Sequence, residues 1–510
     1  MNKPIYRDNN FWLWLIILFG VLVRLYKIDS PILDLYPGRQ EQCAMIARNF
    51  FYHGFNFFHP EVDWFGTFDS SWSLEFPFIS YLAALFYSIF GVYEFLGRAV
   101  TIIFSLASTY LVYKLAKELL GQRPALYAAF LFTISPLGIY FGRAFMPDMI
   151  MIFFSVASLY YFYRWINLGG KLNCLLALLA TSLAFLIKLP SLYLCMPLLY
   201  LAYVKHKNKI FLKPSLYLFF IFCLAVTAFW YMQASNNIFA FYIANDSNLA
   251  MLRQPHFYMK IFEKIGLLVL TPIGLFLAIF GSFLSVEKKE EYMLHFWLLP
   301  VVLYTFIAAE VNYIHYHYQL PFVPIFSIFA AKAVDKIINS EVWEHTVLAR
   351  FNAKFTMCSI MLSIFIISFT TIQPFYKWNR DVLNAARAVN LLTAKDSIII
   401  AGMCSHEAPL YYMDRKGWET NEDPYGSLSY SWASTLNKYH LPEKSKNSSS
   451  IILSNELELT KFLIKHGANY YFTTNMRAFN RDQELRDFLY NNFKLLKEEK
   501  YFIIFDLTKK

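Results

Sequence analysis

Charge is what this sequence has least of. Asp, Glu, Lys and Arg make up 16% of its 510 residues, where a soluble chain usually carries about 25%. That argues against an ordinary soluble enzyme. Cysteine is scarce too. There are six, and Cys174, Cys195, Cys223 and Cys358 sit inside apolar runs with no CxxC or Cys/His metal spacing, so they define no metal motif. The N-terminal "MNKPIYRDNN" leads into an apolar run that lacks a small-residue cleavage site. It reads as an anchor rather than a removed signal peptide. There is also no phosphate-cradling Gly-rich loop, no nucleophile elbow, no solenoid repeat and no clear internal duplication.

What the sequence has is apolar length. Hydrophobic residues make up 57% of it, and the mean hydropathy is +0.37. Apolar runs fall near 11–26, 98–117, 124–141, 148–165, 172–187, 190–204, 213–232, 262–284, 291–309, 318–336 and 354–375. Many approach the roughly 20 residues that span a bilayer. The reading is a mainly α, polytopic transmembrane bundle of about eleven spans, within a range of 11–13. The run at 77–91 is short, follows "EFP" and is not expected to cross fully. The formal net charge of +10 fits basic cytoplasmic loops. Nucleic acid is not an expected partner, because the basic residues are scattered between apolar runs.

Lys/Arg bias orients the spans. The most basic short loop is "KHKNKIFLK" (205–213), which is expected to be cytoplasmic, as are the turns at Lys114–Arg123, Arg164–Lys171, 287–291 and Lys332–Lys354. The alternation puts the N-terminus inside and the C-terminal region outside. The chain then divides into a transmembrane domain, 1–376, with a first outer loop at 27–76, and an extracytoplasmic α/β domain, 377–510. Strand-like "SIIIAG", "ANYYFTT" and "KYFIIFDL" alternate there with helix-like "ELTKFLIKHG" and "RDQELRDFLYNNF", and "KSKNSSS" (444–450) reads as a loop. In the first outer loop, "EQCAMIARNFFYHG" has helical apolar spacing and is expected to lie along the membrane interface.

This threading gathers the unusual polar residues on one face. Asp148 opens a long apolar run directly after Pro147. An ionisable group at membrane depth suggests function, with a helix N-cap as the plain alternative. Lys188 lies between "LAFLI" and "LPSLYL". A cation at the outer face runs against the positive-inside trend and favours an anion-binding role, with snorkelling as the alternative. His315 and His317 in "HYHYQLP" carry less weight.

The ordered set "RQEQCAMIARNF", "EFPFISYLAALFYSIFGVYEFLGR", "FGRAFMPDM", "AFLIKLPSLYL" and "HYHYQLPFVP" resembles polytopic glycosyltransferases of the GT-C fold. The similarity is to the bacterial family-39 type, related to the protein O-mannosyltransferases and the aminoarabinose transferase of lipid A. The resemblance implies a hexosyl or pentosyl transferase of the cell (inner) membrane with a polyprenyl-phosphate sugar as donor. The acceptor would be an extracytoplasmic glycan, lipid or protein. Carried over by residue, it makes Glu75 the acid of "EFP", Asp148 the acid of the "PDM" helix, and Lys188 with Tyr318 donor-phosphate residues. Arg39 and Arg143 are further cations for that phosphate. It also admits a divalent metal ion, held by Glu75 and His256, and no other cofactor. Relatives usually carry an Asp-Glu pair where this chain has Arg39 and Gln40. The base therefore stays open among Glu41, Glu75, Asp148, Asp34 and Asp63.

The chemistry suits that reading. A departing lipid phosphate needs cations where charge develops. An acceptor hydroxyl needs a base within hydrogen-bond reach, and a single inverting displacement needs no covalent nucleophile. A polytopic transporter or lipid flippase is the alternative, and it would predict midplane charges and paired broken helices in two related halves. The glycosyltransferase reading further expects Asp148, Glu41 and Glu75 to share one cavity.

Overall fold

The computed structural model describes residues 9–68, 70–72, 75–233, 246–340, 347–404, 409–420 and 456–509. The expected loop at 444–450 and part of the 233–260 loop lie outside them. The chain forms two compact units. One comprises Met1–Ser30 with Phe95–Tyr376, the other Pro31–Glu94 with Lys377–Lys510.

In the first unit each apolar run becomes helix over most of its length. The helices are Asn9–Arg24, Glu94–Leu120 (whose first residue falls in the other unit), Gln122–Ile134, Asp148–Leu168, Lys171–Ile187, Cys195–His206, Pro214–Gln233, Thr271–Phe283, Met293–Ile307, Phe322–Ile338 and Val347–Ile372. Four helical stretches among the described residues are long and apolar enough to cross a membrane, or five with the pair Pro255–Val269 and Thr271–Phe283, which bends by 95°. Three shorter apolar helices, Asn10–Arg24, Phe78–Phe90 and Lys171–Ile187, accompany them. Phe78–Phe90 has only 13 residues. At 1.5 Å per residue it is about 20 Å long, short of the ~30 Å hydrocarbon core.

The helices pack through small and hydroxyl residues, as expected where lipid removes the hydrophobic drive for association. A Cβ on Gly281 would come within 1.8 Å of the Phe329 carbonyl oxygen, so this crossing of Thr271–Phe283 with Phe322–Ile338 admits nothing larger. Ser158 and Thr181 are 2.6 Å apart, and Ser155 and the Tyr193 hydroxyl 2.9 Å. Buried cations stitch the broken helix ends. Arg24 donates to Ser105, Thr133 O and Gly138 O, and the Lys264 ammonium donates to the carbonyls of Asn312 (2.8 Å), Tyr313 (2.6 Å) and His315 (3.2 Å).

The second unit is built on a five-stranded sheet, β1 (Ile399–Ala401), β2 (Gly417–Glu419), β3 (Tyr470–Thr473), β4 (Lys494–Glu499) and β5 (Phe502–Asp506), in the order β2-β1-β3-β5-β4. β1 is parallel to both neighbours, with Ile400 opposite Trp418 and Tyr471. β5 is antiparallel to β3 and β4. Trp418, Tyr471, Ile503 and Phe505 pack with Leu463, Phe479, Leu485 and Leu489 in its core. The expected strands at 397–402, 468–474 and 500–507 and the helices at 458–467 and 481–493 all form. "KLLKEE" and "GWE" were not foreseen as strands.

The first outer loop belongs to this second unit and is not a free interfacial segment. Its helix, Pro37–His53, is buried at every position from Gln40 to Phe50. The expectation of an amphipathic helix lying along the interface is therefore corrected. Polar Gln40, Glu41, Gln42, Arg48 and Asn49 are covered as fully as the apolar residues between them, because both Phe78–Phe90 and the Pro409–Met413 helix pack on it. Residues 63–66 are tied to β2, with an antiparallel bridge between Phe65 and Trp418. The Gly66 amide donates to Gly417 O at 2.8 Å and the Gly417 amide to Asp63 O at 3.0 Å. Gly66 sits at φ +54°, and a Cβ there would lie 2.2 Å from the Trp418 ring.

Candidate functional site

In the membrane unit, Asp148 and Lys188 meet. The Pro147 turn starts the helix at Asp148, so Asp148 is its first residue rather than its cap. There the helix dipole favours a negative charge. Lys188 closes the preceding helix, Lys171–Ile187, in an extended conformation (φ −150°, ψ 120°), and the chain turns away through a 3-10 segment at Leu189–Leu194. The Lys188 ammonium donates to Asp148 Oδ1 at 2.7 Å, and both side chains are 2% exposed. This burial contradicts simple snorkelling. The ammonium also lies 4.9 Å from the centre of the Tyr318 ring, a cation–π distance. Tyr318 is buried beside the stacked rings of His315 and His317, whose centroids are 5.2 Å apart. Three of the expected residues, 148, 188 and 318, thus form one buried group from three separated stretches.

Arg143 and His256 belong to the same unit and are held differently. Arg143 donates to the carbonyls of Tyr26 (3.2 Å) and Lys27 (2.5 Å) and stacks on the Tyr376 ring at 4.7 Å. His256 is exposed, with its ring 5.3 Å from that of Tyr313.

In the other unit, the first-loop acids fall into four settings. Arg39 and Glu75 form an ion pair at 2.8 Å, with side chains 24% and 11% exposed, and Arg39 also donates to Gln42 Oε1 at 2.9 Å. Asp34 accepts from the Gln40 amide. Arg39 and Gln40 therefore bind two of the candidate acids. Asp63 receives Arg48 at 2.7 Å and Asn49 at 3.1 Å. Glu41 is fully buried, and its carboxyl oxygens make no hydrogen bond of normal geometry among the described residues. Burial pushes its carboxyl well above the usual range. Glu419 adds to the shift, the nearby Trp64 indole and Tyr411 backbone oppose it, and Asp63 raises it further. Burial thus disfavours the charged form of Glu41.

Sequence reasoning missed Arg48, Lys264 and Glu419. Arg48 sits inside "MIARNF", where an arginine beside apolar residues looks like any interfacial one. Only the partners, Asp63 and Asp414, reveal it. The expected metal ligands are engaged elsewhere, Glu75 by Arg39 and His256 against Tyr313. Among the described residues no group of three His, Cys, Asp or Glu could hold a metal ion. The described residues do not fit a metal ion.

Comparison with known proteins follows the same outline. A family model described as dolichyl-phosphate-mannose-protein mannosyltransferase matches residues 75–232. No curated protein matches the chain. Among solved structures, ArnT from Cupriavidus metallidurans bound to undecaprenyl phosphate is similar with a TM-score of 0.67 at 12% identity, covering 97% of each chain. The Archaeoglobus fulgidus oligosaccharyltransferase AglB, in complex with an inhibitory peptide and a dolichol-phosphate, is similar with a TM-score of 0.61 at 14% identity, over 91% of this chain and 69% of that one. The same archaeal enzyme in complex with Zn and sulfate gives 0.61 at 13% identity, over 94% and 71%. The resemblance read from the motifs therefore holds at the level of fold across nearly the whole chain, and the chain is a GT-C-fold membrane protein whose residues 75–232 match the dolichyl-phosphate-mannose-protein mannosyltransferase family model.

Proposed function

We propose that this protein is a membrane glycosyltransferase that moves a sugar from a polyprenyl-phosphate donor to an extracytoplasmic acceptor by a single inverting displacement. The observation that carries the reading is the buried Lys188 ammonium, held at 2.7 Å by Asp148 beside the Tyr318 ring. A buried cation of this kind is costly to maintain unless it is paired. A lipid phosphate arriving there meets a desolvated, pre-oriented donor group, which is the arrangement that stabilises charge developing on a leaving phosphate. The ArnT-like fold supports the same donor class.

In this reading Lys188 and Tyr318 contact the donor phosphate, and Asp148 orients Lys188. Arg39, in the other unit, keeps solvent access and holds Glu75. Glu75, the partly exposed carboxylate it holds, is the base that takes the acceptor's hydroxyl proton. Asp34 and Asp63 hold the loop, and Glu41, sealed away from solvent, is not the base. Arg143 is occupied by backbone carbonyls and buttresses the helix ends. The N-terminus is cytoplasmic and residues 377–510 extracytoplasmic.

The test is transfer by purified protein in vesicles supplied with polyprenyl-phosphate sugars, with products read by mass spectrometry. Lipid-linked and cell-surface glycans are compared with and without the protein. A sugar–acceptor bond should form, and Lys188→Ala should weaken donor use far more than acceptor use. Movement of lipid across the bilayer with no new glycosidic bond would replace this reading with the flippase one.

A further inference from the structure

One buried charge cluster in the unit of residues 31–94 and 377–510 plays no part in the chemistry above. At its centre is Arg48, 6% exposed. Its Nη2 donates to Asp63 Oδ2 at 2.7 Å, and its Nη1 reaches Asp414 Oδ1 at 3.0 Å and the Tyr411 carbonyl at 2.8 Å. The guanidinium lies 4.6 Å from the centre of the Tyr411 ring. Three acceptors and one aromatic face thus surround a single fork, a geometry that suits arginine and that an ammonium cannot reproduce.

The position on the helix gives this cluster its meaning. Arg48 lies two turns after Glu41 on Pro37–His53, so the two share a face. Glu41 interacts with Glu419 and the Tyr411 backbone, and Arg48 binds Tyr411 and Asp414. Both therefore address the 409–420 segment. Arg39, the partner of Glu75, stands in the first turn of the same helix. Any slide of the helix along 409–420 would shift Arg39 relative to Glu75, which lies outside the helix. The loop itself is tied to β2 independently, through the Gly66–Gly417 and Gly417–Asp63 backbone bonds. Losing Arg48 would leave that backbone attachment in place and release only the helix.

We propose that Arg48 is a positioning residue for transfer: it locks the Pro37–His53 helix to residues 409–420 and so fixes the Arg39–Glu75 pair. The C-terminal segment is then a working part of the acceptor side rather than an appended domain. This rests on the reading of Glu75 as the base.

The test uses the full-length protein in vesicles with two variants, Arg48→Lys and Asp414→Asn. The second removes only the partner whose side chain is 45% exposed and protects against a folding failure of the first. Hydrogen exchange of the 37–53 amides is measured together with kcat and KM. In Arg48→Lys, kcat per folded molecule should fall on the order of 10²-fold, the loss expected for an angstrom-scale misplacement. The KM for the lipid donor should hold, and exchange should quicken across 37–53 but not across 322–338. Asp414→Asn should move both readouts in the same direction by less. A merely structural Arg48 would lower the folded fraction and leave kcat per folded molecule unchanged, which would overturn the proposal. Unaltered exchange across 37–53 in both variants would overturn it as well. Absence of product from the wild-type protein would instead remove the transfer reading, while the exchange measurement still decides whether Arg48 locks the helix.

Discussion

Replacing Lys188 by Met removes one half of the buried pair at the start of the Asp148 helix. At 2.7 Å, the Coulomb attraction at an effective dielectric of about 20 is about 6 kcal/mol. Desolvation of each ion costs several kcal/mol, so the intact pair contributes little net stability. The single variant is a different case. It leaves the Asp148 carboxylate buried and unmatched, which costs about 3–5 kcal/mol. Adding Asp148→Asn removes that charge. The double variant should regain most of the loss, with a coupling of up to about 3 kcal/mol. Transfer should not recover with it. The donor phosphate still lacks its cation, and a missing charge-stabilising group typically costs on the order of 10²–10³-fold in rate. The assay is thermal unfolding of the purified protein alongside donor-dependent transfer for the wild type, both single variants and the double. Two results would refute the reasoning. Lys188→Met destabilising by less than about 1 kcal/mol would show that no buried charge had been stranded. A double variant that regains activity together with stability would reduce the pair to a structural ion pair.

Reporter fusions after Lys213 and after Lys510 should read opposite sides of the membrane, since the Lys/Arg bias of 205–213 marks that loop as cytoplasmic; same-side readings would sink the threading. The Glu456 carboxyl is pushed up to about 8 by burial, with the Thr420 hydroxyl opposing. A carboxyl raised in the folded state binds a proton that the unfolded chain has already released, so stability falls as pH rises from about 4.5 to 8. Glu456→Gln should flatten that slope in thermal melts of the full-length protein, and an unchanged slope would refute the assignment.

The sequence by itself determined the membrane class, the helical runs, the α/β character of the C-terminal segment and the likeness to GT-C enzymes. These follow from local properties. Apolar length decides helix in lipid, alternating polarity and helix-period spacing decide the α/β elements, and short motifs such as "FMPDM" and "FLIKLPS" keep their spacing along the chain. Single residues at membrane depth were legible for the same reason, because Asp148 and Lys188 have no inexpensive place in lipid unless something pairs with them. Their partners were not legible. That Lys188 closes on Asp148, 40 residues away, and that Arg39 sits on Glu75, 36 residues away, depends on where helix ends are brought together. The Pro37–His53 helix shows the limit most clearly. Its spacing reads as amphipathic, yet it is buried all round because Phe78–Phe90 covers it from nearby in the chain and residues more than 350 positions later cover it as well, as the Arg48–Tyr411 bond at a separation of 363 records. Burial is a property of what packs on an element rather than of its own pattern. Only the tertiary structure therefore decided that Glu41 is covered and that Asp63 is spent on Arg48.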